Sequence, residues 1–432
     1  MHEVQLTRDS YGHTLNGHQV FSHDDEWVVF DTRNDQTHIG RTCCIEKVNV
    51  RSGEVVRLYT APGQTEYGPG VGAAAWHPHE EKIIFIHGLF NCDVAQPYDF
   101  TRRFGAIWRG DEPSGVTAAE ARTVTAPLVA GALRGGTHAH SWSGDGEWIS
   151  FTYNDYIIEQ LEKGGGKMRD LRTVGVMAPI PVHVETEDEE NFSGIYFSVV
   201  AATVADQPAA GSDEIEKAFD ECWIGKEGYR KHDGTWQKRA LAFQGHVRTS
   251  TGELITEVFV ADIPDDITRA GTAPLEGTAQ SRPTVPAGLV QRRITFTADR
   301  KHPGVQGPRF WLRSSADGAT VFFLMKDDDG IVQIFNVPVM GGEIKQVTRL
   351  PVSVQSQFNI SPEGNRIAFI ADNSIWITDI ASGDSERLTQ RRPDHDAPVV
   401  SVSWNHAGDM LVYNRYVTSP EGRYLQIFRI DL

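Results

Sequence analysis

The sequence predicts an all-β fold, a seven-bladed β-propeller. Three observations carry this. A strand–turn–strand phrase recurs along the chain at roughly 40- to 50-residue spacing, the length of a four-stranded blade. A second strand–turn–strand phrase follows most copies. The first residues have the pattern of the strand that the last copy lacks. The fullest copy runs from Leu133 to Asp155: a strand ending at Trp142, a turn over Ser143-Gly144-Asp145-Gly146, and an alternating strand from Trp148 to Tyr153.

The other copies follow in chain order. Phe21-Ser22-His23-Asp24-Asp25 precedes Trp27 to Phe30, and Trp76-His77-Pro78-His79 precedes Ile83 to Ile86. Ser314 to Gly318 precedes Val321 to Leu324, Ile360 to Gly364 precedes Ile367 to Ile370, and Trp404 to Gly408 precedes Met410 to Tyr413. The second half of the unit repeats at Ile45–Leu58, Ile334–Thr348 and Ile375–Thr389, each with a Gly-containing turn in its middle. Every unit is therefore four strands, a to d from the hub outward. The chain's last strand, Ile427 to Leu432, reads as a third strand, and Val4-Gln5-Leu6-Thr7 supplies the fourth. A first strand that completes the last blade leaves no open edge.

Six blades are placed by signature, and the chain is read as one domain over 1–432. The fourth blade is irregular and carries insertions over about 156–290. There Gly164-Gly165-Gly166 reads as a loop and Glu185 to Glu190 as a solvated acidic face. A helix is expected from Ser212, with Ile215, Phe219 and Cys222 on one side. Strands near Ile195–Ala201 and Val258–Ile263 are expected to form blade four, and Pro264–Pro286 a surface excursion.

Composition bounds the partners. The net charge of −17 argues against nucleic acid, which needs a basic face, and admits an anionic ligand only at a locally basic pocket. No stretch is apolar for long enough to span a membrane, and no secretory signal opens the chain. Cys43, Cys44, Cys92 and Cys222 show no metal spacing. Adjacent cysteines rarely pair, so buried reduced thiols in a cytoplasmic protein are expected.

Strand geometry narrows where chemistry sits. In an antiparallel blade the start of strand a and the end of strand b lie at one end. His138 and His140 start one a strand; His87, Asn154 and Arg33 follow b strands; Arg309 precedes an a strand, and Gln355 and Gln357 begin another. These groups are expected at one mouth of the central channel. Imidazoles two apart on a regular strand face the same way and can chelate one divalent ion. The alternative is that they cap the channel with ordinary hydrogen bonds. Arg102 and Arg103, on the long b–c connection of blade two, either clamp a carboxylate or form structural ion pairs, and Arg134 is the better anion-binding candidate. Lys326 to Gly330 reads as a polar hairpin turn rather than a calcium loop. No nucleophile elbow, P-loop or dinucleotide fingerprint is present.

Ile360-Ser361-Pro362-Glu363-Gly364-Asn365-Arg366-Ile367-Ala368-Phe369 with Ile375-Trp376-Ile377-Thr378-Asp379 resembles the TolB-type, WD40-like propeller repeat. Nearly the whole chain resembles an uncharacterised bacterial family within that group, a domain of unknown function. The matching stretches are Phe85 to Gly88, Leu133 to His140 with Phe151 to Asp155, Gly211 to Ile215, and Asp328 to Gln333. A narrower stretch, Thr137-His138-Ala139-His140 with Ser143 to Phe151, is similar to the metal-binding segment of oligogalacturonate lyases. That resemblance implies a divalent ion, manganese rather than calcium, held by His138 and His140 with a further histidine and a glutamine. The family's glutamine position is Gly135 here. Two functions follow. One is a metal-assisted uronide lyase, with His87 as base, Arg134 holding the anion, and Arg102, Arg103, Asn154, Arg309 and Gln357 around a small acidic sugar or oligosaccharide. The other is a non-catalytic propeller that binds a protein or a sugar.

Overall fold

Successive side chains of a strand leave opposite faces of its sheet, so a strand between two neighbouring sheets must be apolar at every position. Ile83 and Phe85 pack toward blade one, whereas Ile84 between them packs toward blade three. Val321, Phe323 and Met325 face blade four, and Phe322 and Leu324 face blade six. Leu411 and Tyr413 face blade six, and Val412 faces blade one. A computed structural model describes residues 3–112, 115–308 and 312–432. In it seven apolar clusters fill the seven interfaces between adjacent blades, so the sheets close into a ring.

The inner strands (a) of blades two, three and four are Val71–Trp76, Gly135–Trp142 and Ala218–Trp223. Each leads an antiparallel four-stranded sheet, as do Arg313–Ser314, Asn359–Ile360 and Pro398–Trp404 in blades five to seven. Blade one pairs Trp27–Asp31, Cys44–Asn49 and Val55–Thr60, with isolated bridges from Thr14 and Phe21 in place of a regular inner strand. The recurring a–b turn has a physical basis. The Ser143 hydroxyl accepts the Trp148 N–H and donates to Asp145, Asp145 accepts the Glu147 N–H, and Gly146 takes φ +74°. Ser315, Asp317 and Gly318 repeat these contacts in blade five.

The ring closes as expected. Glu3–Gln5 pairs antiparallel with Phe428–Ile430 as the outer strand of blade seven. The Glu3 carboxylate accepts from the Tyr413 hydroxyl and lies 2.6 Å from Arg392 Nη2.

Blade four corrects two expectations. The segment after Ser212 is not a helix: Ala218–Trp223 is the inner strand of the blade. The apparent helical spacing of Phe219 and Cys222 is a bulged strand, whose register shifts between these residues. Phe197–Val200 belongs to blade three as its outer strand, while Leu254–Ile263 is strand c of blade four. The one α-helix among the described residues is Tyr156–Lys163, N-capped by Asp155, whose carboxylate accepts the Ile158 N–H. The excursion after Ile263 folds back over blade three, where Arg134 donates to the carbonyls of Thr278 and Ser281. The cysteines also depart from expectation: Cys43 and Cys44 form a vicinal disulfide, and Cys92 and Cys222 are free. Among the described residues no helix is long and apolar enough to cross a membrane.

Burial alone would raise the Glu3 pKa, but the bonds from Tyr413 and Arg392 lower it below 4.5. Its contribution is therefore present above that value and is lost as the pH falls through the lower folded-state pKa. Glu3→Gln is expected to lose about 1–2 kcal/mol of stability at neutral pH. The loss disappears in strong acid, measured by urea unfolding across pH.

Candidate functional site

A bulge at the hub builds the site. Residues 138 and 141 pair with 152 and 150, which lie two apart on one strand. Residues 138 and 141 thus share a face, and His140, next to 141, lies on the opposite face from His138. The extra residue is accommodated at Ala139, with φ +59°. Blades two and four bulge in the same register, between Gly72 and Ala75 and between Phe219 and Cys222, with Ala73 at φ +55° and Asp220 at φ +52°. In blade seven Val400 has φ +73°. Ala73, Ala139, Asp220 and Val400 all line one cavity of about 660 Å³ at the channel mouth.

Cations dominate the polar lining. Arg33, Arg103, Arg172 and Lys217 face the cavity with one acid, Asp220, beside His138, Gln357 and Tyr98. Arg33 is fully employed. Its Nε and Nη2 donate to the two oxygens of Asp31 at 2.6 and 2.7 Å, and Asp31 also accepts the Ala73 N–H at the blade-two bulge. Arg103 is different. It is 2% exposed, its Nη1 donates to the Tyr98 hydroxyl at 3.0 Å, and its Nε and Nη2 have no acceptor among the described residues. Those two N–H groups form the edge that grips a carboxylate side-on. Gln357, 3% exposed, likewise has an unpartnered Oε1. Arg172 donates to Asn154 Oδ1 at 3.2 Å. The Lys217 ammonium sits 4.3 Å over the Phe219 ring, and burial, then the Arg172 charge, lowers its pKa against the pull of Asp220.

The structure divides the expected site residues. Arg103, His138 and Gln357 line the cavity, and Asn154 supports it through Arg172 while donating to Asp170 at 2.7 Å. His87 is a core residue. Its Nδ1 donates to the Gly88 carbonyl, so Nε2 accepts from the Tyr59 hydroxyl at 3.0 Å, and burial lowers its pKa to about 4; no lone pair is left for a base. Arg134 is 1% exposed and spends its donors on Asp155, Thr278 and Ser281. Arg102 is held by Glu190 and Asn91. His87 and Arg134 are committed to partners within the protein, and Arg102 is tied through both of its terminal nitrogens. Arg309 lies outside the described residues.

The same geometry separates the two histidines expected to chelate a metal. His140 is fully buried, with Nε2 2.9 Å from the Thr137 hydroxyl, on the face away from His138. A Cβ at Gly135, the position of the lyases' glutamine, would lie 1.9 Å from the Asn154 carbonyl oxygen, so no side chain fits there. Among the described residues no group of three or more His, Cys, Asp or Glu is placed to hold a metal ion. The donor set does not fit a resident cation.

Tyr98, Arg172, Lys217 and Asp220 enter the cavity unforeseen. Lys217 and Asp220 fell within the expected helix; read as a third bulged a strand, that segment would have placed Asp220 beside Ala139.

A closed propeller whose bulged inner strands open onto a cationic pocket is the class that fold and site define. The chain belongs to the family of the Uncharacterized protein YidR of Escherichia coli (strain K12), to which it is 38% identical over 422 residues, 94% of this chain and 96% of that one. Residues 70–192, spanning most of blades two and three, match the model of a Protein of unknown function (DUF3748). Among solved structures, an oligogalacturonate lyase in complex with manganese superposes with a TM-score of 0.56 at 10% identity, over 100% of this chain and 93% of its own. A puromycin hydrolase gives a TM-score of 0.56 at 12% identity over 99% of this chain, which spans 52% of that protein. Both likenesses are of fold.

Burial, then the Arg103 charge, lowers the His140 pKa from 6.5 to about 3. Below pH 6.5 the unfolded chain takes up a proton that the folded chain refuses, so stability falls with pH by up to about 1.4 kcal/mol per unit. His140→Asn is expected to be the less stable protein at neutral pH, with a gap to wild type that narrows toward about pH 5 in urea titrations.

Proposed function

We propose that the chain binds a small carboxylated sugar of the uronide class at the channel mouth and cleaves it by β-elimination. The observation that carries this reading is Arg103, which lines a pocket large enough for sugar rings while its buried Nε and Nη2 have no acceptor among the described residues. In a chain of net charge −17, a pocket lined by four cations and one acid selects anions. Two parallel N–H bonds to a uronate carboxylate stabilise the negative charge that develops when the adjacent carbon loses its proton. Lys217, its pKa lowered by burial, is the group suited to take that proton. The electron pair left on carbon forms the double bond, the bond from the neighbouring carbon to the leaving sugar oxygen breaks, and that oxygen takes up the proton that Lys217 removed. An arginine thus fills the place that the lyase resemblance gave to a metal.

Titration calorimetry with digalacturonate tests the reading, with ultraviolet absorbance following unsaturated product. Arg103→Gln is expected to weaken binding by roughly 30-fold or more, about 2 kcal/mol for a charge-assisted bidentate contact. Lys217→Met is expected to keep binding and lose turnover. Binding by wild type without product identifies a carboxylate-binding propeller rather than a lyase. Absence of binding to any acidic sugar defeats the reading.

A further inference from the structure

The lip of the same cavity carries an aromatic ring that folding leaves uncovered. Phe100 lines the pocket and is 54% exposed. Its ring centroid lies 5.0 Å from the Arg103 guanidinium carbon and 5.6 Å from that of Arg172. The backbone beneath it is fixed. Asp99 accepts the Phe100 N–H at 2.6 Å, Arg122 holds the Thr101 carbonyl at 3.0 Å, and the Thr101 hydroxyl reaches Glu159 on the helix at 2.9 Å. The inner strand of blade three backs the segment so closely that a Cβ on Gly136 would stand 2.1 Å from the Phe100 carbonyl oxygen. A ring left about half in water gains less from folding than a buried one, since much of its apolar area stays exposed. It is, however, preorganised to take a ligand at low entropic cost.

From this geometry we infer that Phe100 is a stacking platform for a sugar ring next to the one whose carboxylate sits on Arg103, so that the ligand is an oligosaccharide rather than a single sugar acid. The inference rests on the carboxylate reading of Arg103 and deepens it. A pyranose presents one face of C–H groups to an aromatic ring and its hydroxyls to the side, and Arg103 and Arg172 flank Phe100 as hydrogen-bond donors for those hydroxyls. A lone apolar ring between two cations at a pocket lip matches that mixed chemistry.

Calorimetry with galacturonate and digalacturonate on wild type, Phe100→Ala, Phe100→Trp and Arg103→Gln tests it. Wild type is expected to bind the dimer at least roughly tenfold tighter than the monomer, a stacking-sized preference. Phe100→Ala is expected to bring the two affinities within about twofold, and Phe100→Trp to keep the preference. Arg103→Gln weakens both ligands alike. A dimer preference unchanged in Phe100→Ala, with the thermal midpoint also unchanged, overturns the platform and leaves Arg103 standing. If neither ligand binds wild type, the carboxylate reading falls and the platform with it.

Discussion

The structure depends on ring closure. Each strand serves two interfaces at once, so its core positions cannot be repacked for one neighbour without affecting the other. A linear array would leave its terminal blades with an apolar face open to water. Pairing of Glu3–Gln5 with Phe428–Ile430, and the apolar seam of Leu6, Val28 and Val412 behind it, removes both ends. Strand b positions such as Ile83 to Ile86 are fully committed to this packing.

At the channel mouth the ring spends part of its stability. A non-glycine residue in the left-handed region costs roughly 1–2 kcal/mol, and blades two, three and four each hold one at the equivalent bulge. The cost is tolerated because strands b and c beside each bulge are locked by the interfaces. The return is geometric. A regular strand would turn His138 and His140 the same way; the bulge sends His138 to the cavity and leaves His140 inside with Thr137. The pocket exists because the inner strands of blades two, three, four and seven break period at one level.

How legible this was in the sequence follows from the same physics. The a–b turn writes itself into the chain because Ser143, Asp145 and Gly146 each make a contact that other residues make poorly, so blades with that turn could be counted. The closing strand was legible from its likeness to the outer strands it mimics. Bulges write no such phrase: Ala139, Ala73 and Asp220 share a conformation but no residue type. Faces inferred across an unseen bulge were therefore inverted, which is why His140 was expected in the pocket, and the bulged strand of blade four imitated helical spacing. His87 and Arg134 were placed at the correct end of their blades, but whether a polar group is spent within the protein is decided by partners far along the chain, such as Thr278 and Ser281 for Arg134.

That last distinction also separates the arginines by role. Arg33, Arg102, Arg122 and Arg134 are all buried, and each has a carboxylate within reach. Burying a guanidinium is costly, and such pairs offset the loss of water. Arg103 is buried as deeply, yet it donates to a neutral hydroxyl, that of Tyr98, and one edge has no acceptor among the described residues. A core arginine in that state would be a defect, removable by any apolar residue of similar length. At a pocket wall, on the proposed reading, the same deficit becomes binding energy, because a carboxylate that enters supplies the acceptors that folding withheld. The bulges open the space, and on that reading the unpaired edge of Arg103 selects what enters it.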